Sequence, residues 1–481
     1  MNRVLHRTFR PSATVVIEPA QVNPPIDNVV VSFAGATAPA ILESSLHSTG
    51  YDRFSIFACD PVDQFTHDAR SPTSVLKALG RHVADYPQVA GPVAATPFVG
   101  GWIGYITYEA GAEMERVVEV TRHEPSLLSA KFCLYDAAAL YDHNMDQWYL
   151  IAVHWPAPLR ERRPSVAARL AALHDRLAQA SVSPEAAPPA PPRPSTLVAS
   201  ISRDAYLARV ERIQRWIEAG DVYQVNLTQR FTADADTDPL SLYRRLRRMN
   251  PSSHAALLPW DGAAIVSASP ELFLDLRDGR VVTRPIKGTR PRTGDAPLDA
   301  IHRRQLGQSD KERAELAMIV DLMRNDLGRV CAFGSIRVTD PGRIEQHPTV
   351  FHRVATIEGM LSPGRNWLDL LRASFPGGSV TGAPKIRAMQ IIDEIEETPR
   401  GVYCGSIGWI GLDGSMSMNI AIRTMLQTRS KVHIYAGGAI VADSEPEQEY
   451  EEMLAKATGM FRALNCESPA CCHVQEAATV S

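Results

Sequence analysis

No two cysteines of this chain stand in the C-x-x-C spacing of a zinc or redox motif, and their number is odd: Cys59, Cys133, Cys331, Cys404, Cys466, Cys471 and Cys472. That pattern argues against a disulfide framework and a structural zinc centre, and a reducing, cytoplasmic compartment is expected. No run of about 18 uncharged apolar residues occurs. The first residues carry positive charge with no apolar stretch behind it, so neither a membrane span nor a secretory signal is expected. An excess of one charge is missing too. Lys and Arg number 50 against 54 Asp and Glu, a formal net charge of −4, which leaves no global basic field for nucleic acid or an anionic membrane. Basic residues that matter must act locally.

What is present is a chain of 481 residues, long enough for two domains. Large apolar side chains run out at 183–196, a Pro/Ala-rich stretch that sets a linker at 183–197. It separates an N-terminal domain at 1–182 from a second domain at 198–465, with a tail at 466–481 expected to be disordered. Upstream, "VVIEPAQV", "RFSIFACD" and "KFCLYDAAALYD" have strand character and "AARLAALHDRLAQA" has helical spacing. Downstream, Ser202 opens a helix with a stripe of Leu207, Val210, Ile213 and Ile217 that stops at Gly220. "VYQVNLTQRF" follows, a strand with one polar face that includes Gln224. Asp278-Gly279 and Asp413-Gly414 suggest two hairpins, and strands accumulating between helices predict an α+β protein on large, mainly antiparallel sheets.

Several stretches bear chemistry-capable side chains. A two-residue loop at Asp278-Gly279 sets Glu271 opposite Ile286, and a three-residue loop sets it opposite Lys287. A carboxylate and an ammonium so placed are either a nucleophile with its proton acceptor or a cross-strand ion pair of roughly 0.2–1 kcal/mol. In "SDKERAELAMIVDLMRND", Ser309 and Glu312 form a capping-box pattern, with Glu315 one turn further on. In "DSEPEQEYEEMLAKATGMF", Ser444 and Glu447 repeat that pattern, and Glu449, Glu452 and Lys456 share a face. Clustered acids without His or Cys are either a solvated face or a site for Mg²⁺, which one or two carboxylates and water usually hold. "FPGGSVTGAPKIRAM" has the glycine spacing of a phosphate loop but places Ala383-Pro384 where Gly-Lys belongs, so it fails as one.

Taken together these stretches resemble the chorismate-utilising enzymes along nearly the whole chain, from "ILESS", "RFSIFACDP" and "GGWIGYITYE" through "SASPELFL", "PIKGT" and "AELAMIVDLMRNDLGRV" to "YCGSIGWI" and "GGAIVADSEPEQEYEE". The resemblance implies a sandwich of large sheets with flanking helices. Within that family, Pro-Ile-Lys-Gly-Thr at 285–289 is similar to the branch that makes 4-amino-4-deoxychorismate, whereas the anthranilate branch carries alanine at the lysine position. It implies that Lys287 is the nucleophile, with Glu271 as its base and His352 as an acid near the leaving hydroxyl. Mg²⁺ is implied as cofactor, with Glu315 and Glu452 as direct ligands and Glu312 and Glu449 holding its waters. Gln224, Gly288, Thr289, Ser379, Tyr403, Arg423, Gly437 and Lys456 are the implied substrate-binding residues. Glutamine at 224 has no titratable proton with which to activate water, which disfavours isochorismate chemistry. The implied partners are chorismate and a separate glutaminase subunit supplying ammonia, for folate synthesis. Glu43 and Ser44 resemble a tryptophan-holding segment. Ala439 and Ala355 depart from the family pattern. The alternatives are the anthranilate reaction, or a non-catalytic chorismate- or tryptophan-binding regulator.

Overall fold

The computed structural model describes residues 12–46, 53–71, 73–89, 96–115, 127–193, 195–234, 236–260, 262–347 and 350–466. These build one sheet of 12 strands and one of 10, with antiparallel ladders between neighbours. Side-chain alternation explains how the sheets meet. On His254–Trp260, Ala256 and Leu258 join Ile103, Tyr105, Ile407 and Trp409 of the other sheet in one cluster, whereas Ala255 and Leu257 belong to the cluster that the helices cover. Successive strand residues point to opposite faces, so each sheet packs on its partner with one face and under helices with the other. This is the expected α+β sandwich with flanking helices.

The stretch at 183–197 divides the sequence but not the sheets. In the larger sheet, Ala255, Ala256 and Leu257 pair with Glu43, Leu42 and Ile41. In the smaller one, Gly101–Ile106 lies against Ser406–Gly411. A boundary between 1–182 and 198–465 therefore does not separate two cores, because strands from both sides complete the same two sheets. The Pro/Ala stretch runs over the surface, tied by Arg244 to the carbonyls of Ala186 and Ala187 and by Asn465 to that of Pro192. Residues 467–481 of the expected tail lie outside the described residues, while Cys466 is buried.

Other elements form with shifts. "KFCLYDAAALYD" makes two strands in different sheets, Ala130–Tyr135 and Ala137–Asp142, with Asp136 at the corner bound by Arg163, Arg169 and Trp155. The helix Arg203–Glu218, capped by Ser202, buries Tyr206, Val210 and Ile213, and Leu207 and Ile217 only partly. The hairpin at Asp413-Gly414 is wider than a two-residue turn, since its strands end at Gly411 and resume at Met416. Two helices then approach one another: Asp310–Gly328, and Pro446–Ala463 packed on the strand Lys431–Ile440, with Lys311 of the first 3.5 Å from Glu449 of the second.

Candidate active site

Asp278 and Gly279 both take positive φ, 50° and 76°, which makes the two-residue turn, and Arg277 faces Arg280. A bulge between Leu272 and Asp275 then shifts the register, so that Leu272 faces Arg284. Glu271 thus falls short of both partners that loop length alone suggests. Its carboxylate instead accepts from the Ile286 backbone N–H and the Ser379 hydroxyl, and it feels the charge of Lys287. Burial outweighs these contacts and pushes the carboxyl up to about 7. Lys287, half-buried at the start of the strand Ile286–Pro291, is shifted the other way. Burial pulls its pKa below the ordinary lysine value, Glu315 opposes the fall, Lys456 adds to it, and Glu271 and Glu452 oppose it.

The four glutamates come together around this lysine. Glu312 Oε1 accepts from Arg290 at 2.7 Å, and its Oε2 is buried with no partner among the described residues. Burial raises the Glu315 pKa, against Lys287 and Lys311 and helped by Glu452 and Glu449. Glu449 accepts from the Ser444 hydroxyl at 2.7 Å and lies 3.5 Å from Lys311 Nζ. Glu452 pairs with Lys456 at 2.8 Å, and that ammonium chiefly holds its pKa down. Both capping boxes change in detail. Ser309 caps Glu312 N, but the Glu312 carboxylate turns to Arg290 rather than back to the cap. Glu445 occupies the second N-cap, which frees Ser444 for Glu449, and Glu447 pairs with Arg203.

Among the described residues, no three His, Cys, Asp or Glu side chains converge on one point as a metal cage. Mg²⁺ does not ask for one, since it keeps several waters and takes one or two carboxylates. The donor set fits it: hard oxygens only, one of them a buried carboxylate oxygen left unpartnered.

The remaining expected residues divide. Gly288 has a φ of 88°, which favours glycine, and a Cβ there would push aside the Glu312 carboxylate, 2.7 Å away. His352 faces Thr289 across the ladder, and its Nδ1 lies 2.8 Å from Thr289 Oγ1. Burial, with the charges of Arg423 and His347, drives the His352 pKa well below its ordinary value, against a hydrogen bond to the Gly288 backbone. That shift favours the neutral ring. Gln224 is fully buried at the end of Gln224–Asp234, and neither of its amide atoms has a hydrogen-bond partner among the described residues. Gly437 accepts from Lys456 Nζ at 3.2 Å through its carbonyl. Tyr403 stacks on Tyr435 at 5.4 Å, and so meets this wall through a second ring. Ala439 sits in regular ladder opposite Asn226, and Ala355 is buried, so neither departure distorts the backbone.

Glu43 and Ser44 lie elsewhere. Glu43 is buried on Arg247 at 2.7 Å and Tyr243 at 2.7 Å, and it borders a cavity of about 200 Å³ with Arg53, His254, Trp409 and Asn419. The Ser44 hydroxyl donates to the Leu46 carbonyl. Sequence reasoning missed two groups, Lys311 and Arg290. Lys311 lies four residues before Glu315 on one helix, a spacing that puts both on one face and is readable from the sequence. Ser379, expected in the substrate wall, gives its hydroxyl to Glu271.

The family model for chorismate binding enzymes matches residues 42–462. The chain belongs to that family of chorismate-utilising enzymes. It is 37% identical over 431 residues to aminodeoxychorismate synthase component 1 of Salmonella typhimurium, covering 86% of this chain and 90% of that one. It is 40% identical over 375 residues to anthranilate synthase component 1 of Thermus thermophilus, covering 76% of this chain and 78% of the relative. Among solved structures, anthranilate synthase component I from Streptococcus pneumoniae matches with a TM-score of 0.72 at 31% identity, over 85% of this chain and 92% of that chain.

Proposed function

We propose that the protein is the chorismate-aminating component of an aminodeoxychorismate synthase, using ammonia from a separate glutaminase subunit. The observation that carries this reading is Lys287, drawn out of water beside a glutamate pushed up to about 7 and under the charges of Glu315 and Glu452. A lysine has a reference pKa of about 10.4, and desolvation raises its neutral fraction. Its amine adds at C2 of chorismate, the ring double bond shifts, and the C4–O bond breaks. Glu271 takes the proton from the new ammonium and returns it to the departing oxygen, a pair of tasks suited to a pKa near 7. Ammonia then forms the bond to C4 as the double bond shifts back and the C2–N bond to Lys287 breaks, and a proton passes from the new C4 ammonium to the departing nitrogen, so that the lysine leaves as the neutral amine.

When bound, Mg²⁺ would engage a substrate carboxylate and assist loss of the hydroxyl, with Glu315 and Glu452 as ligands and Glu312 and Glu449 on its waters. Arg423 carries a positive φ of 49°, and burial lowers its pKa, which suits a guanidinium placed to meet another carboxylate. Gln224 supplies both a donor and an acceptor to the substrate. His352 is best read as a neutral clamp on Thr289 and Gly288.

The test is product identity after incubation with chorismate, Mg²⁺ and ammonium. The expected product is 4-amino-4-deoxychorismate, and anthranilate without any of it overturns the reading in favour of the anthranilate reaction. Chorismate binding without turnover would favour the regulator. The cavity beside Glu43 is a separate proposal for tryptophan. Because Arg247 and Tyr243 already hold the Glu43 carboxylate, its main chain rather than its charge would meet the ligand.

A further inference from the structure

Each glutamate of the cleft has a cation of this chain near it, and the cations are not held alike. Arg290 reaches Glu312 at 2.7 Å and also donates to the Thr289 carbonyl at 2.9 Å. Lys456 joins Glu452 at 2.8 Å to the Gly437 carbonyl at 3.2 Å. Lys287 lies on the strand Ile286–Pro291, at the break in its pairing, and feels the charges of Glu315, Glu271 and Glu452. Lys311 differs. Among the described residues its Nζ contacts Glu449 Oε1 alone, at 3.5 Å, and its side chain is 47% exposed. It lies one turn before Glu315, so the same ammonium faces the acids of both helices.

We propose that Lys311 is a tethered stand-in for the divalent cation, neutralising the acid cluster while no metal is bound and moving out to solvent when Mg²⁺ enters. The proposal rests on the metal-site reading above. Clustered carboxylates repel one another unless a cation lies among them, and a lysine on a flexible four-carbon stem supplies one without a fixed geometry. Leaving is cheap for it, because the ammonium hydrates strongly and gives up a single long contact. Staying is not, because one positive charge near a divalent ion is repelled twice over. Lys311 therefore weakens metal binding to the empty cleft. A substrate carboxylate that adds to the metal's ligands offsets that penalty, so Mg²⁺ is held firmly only together with chorismate.

The experiment is calorimetric titration of the full chain with Mg²⁺ at low ionic strength without chorismate. Lys311→Met is expected to bind Mg²⁺ about tenfold more tightly than the wild type, and Lys311→Arg no more tightly. Wild-type or weaker affinity in Lys311→Met overturns the proposal while leaving the metal site standing. Lys311→Gln replaces the first variant if that fails to fold, and failure of both to fold overturns the proposal by making Lys311 a structural residue. No Mg²⁺ binding by wild type and variants alike removes the metal-site reading and this proposal with it.

Discussion

Lys287 and Lys385 are two lysines drawn into the protein in different regions, and their surroundings give them opposite characters. Lys385 opens the helix Lys385–Ile395, where its ammonium lies 2.7 Å from Asp326 Oδ2 and 2.8 Å from the Ser374 carbonyl, in a region closed to solvent. An opposite charge and a carbonyl lock it, so it joins two segments and does nothing else. Lys287 is surrounded by charges of both signs: Glu315, Glu271 and Glu452 favour its charged form while burial and Lys456 oppose it. Burial alone does not make a lysine reactive. The lock at Lys385 and the near-balance at Lys287 separate a structural group from a poised one.

Substituting each lysine in turn tests that contrast. Lys287→Met is expected to cost at least about 10³-fold in chorismate turnover with ammonium while leaving the melting temperature near that of the wild type. Lys385→Met removes the ammonium that pairs with the buried Asp326 carboxylate and is expected to lose about 3–5 kcal/mol in denaturant unfolding. The protein that remains folded should turn over normally. An active Lys287→Met, or a Lys385→Met of unchanged stability, would break the comparison.

The same contrast shows how much of the molecule is legible in its sequence. The sandwich, the acid helices and the Asp278-Gly279 turn follow from periodicity, turn residues and family resemblance, since side-chain spacing on helices and turn geometry are set locally. The two-domain division does not follow, because pairing of Ala255 with Glu43 across 212 positions is decided by the sheet as a whole. Nor does the bulge at Leu272 to Asp275, which moves Glu271 toward Ser379. Lys385 is instructive: its motif imitates a phosphate loop, and only the fold places Asp326 against it. Neutral His352 is hidden for a related reason, as its pKa is governed by burial on the strand Val350–Met360.

Glu271→Gln sharpens the contrast from the acid's side. With its pKa near 7, Glu271 is mostly protonated below neutrality and accepts no proton there; above it the carboxylate forms. Lys287, its pKa lowered, also becomes neutral as pH rises. Both changes point the same way, so activity should climb through about pH 7 in the wild type. Glu271→Gln should lose about 10²–10⁴-fold and show no inflection there. An unchanged inflection in the variant would assign it to another group.

The smallest effect expected belongs to Ser379→Ala, and it asks whether the balance is tuned or accidental. The Ser379 hydroxyl donates to Glu271 and so favours its ionised form, working against the burial that raises its pKa. Removing it leaves burial less opposed. The inflection should then move to higher pH, with activity falling a few-fold at neutrality and recovering in more basic buffer, while Ser379→Thr keeps the hydroxyl and the wild-type profile. A residue that merely lined the substrate would instead raise KM at every pH and leave the inflection in place. That outcome would return Ser379 to the binding wall and make the Glu271 value a consequence of burial alone.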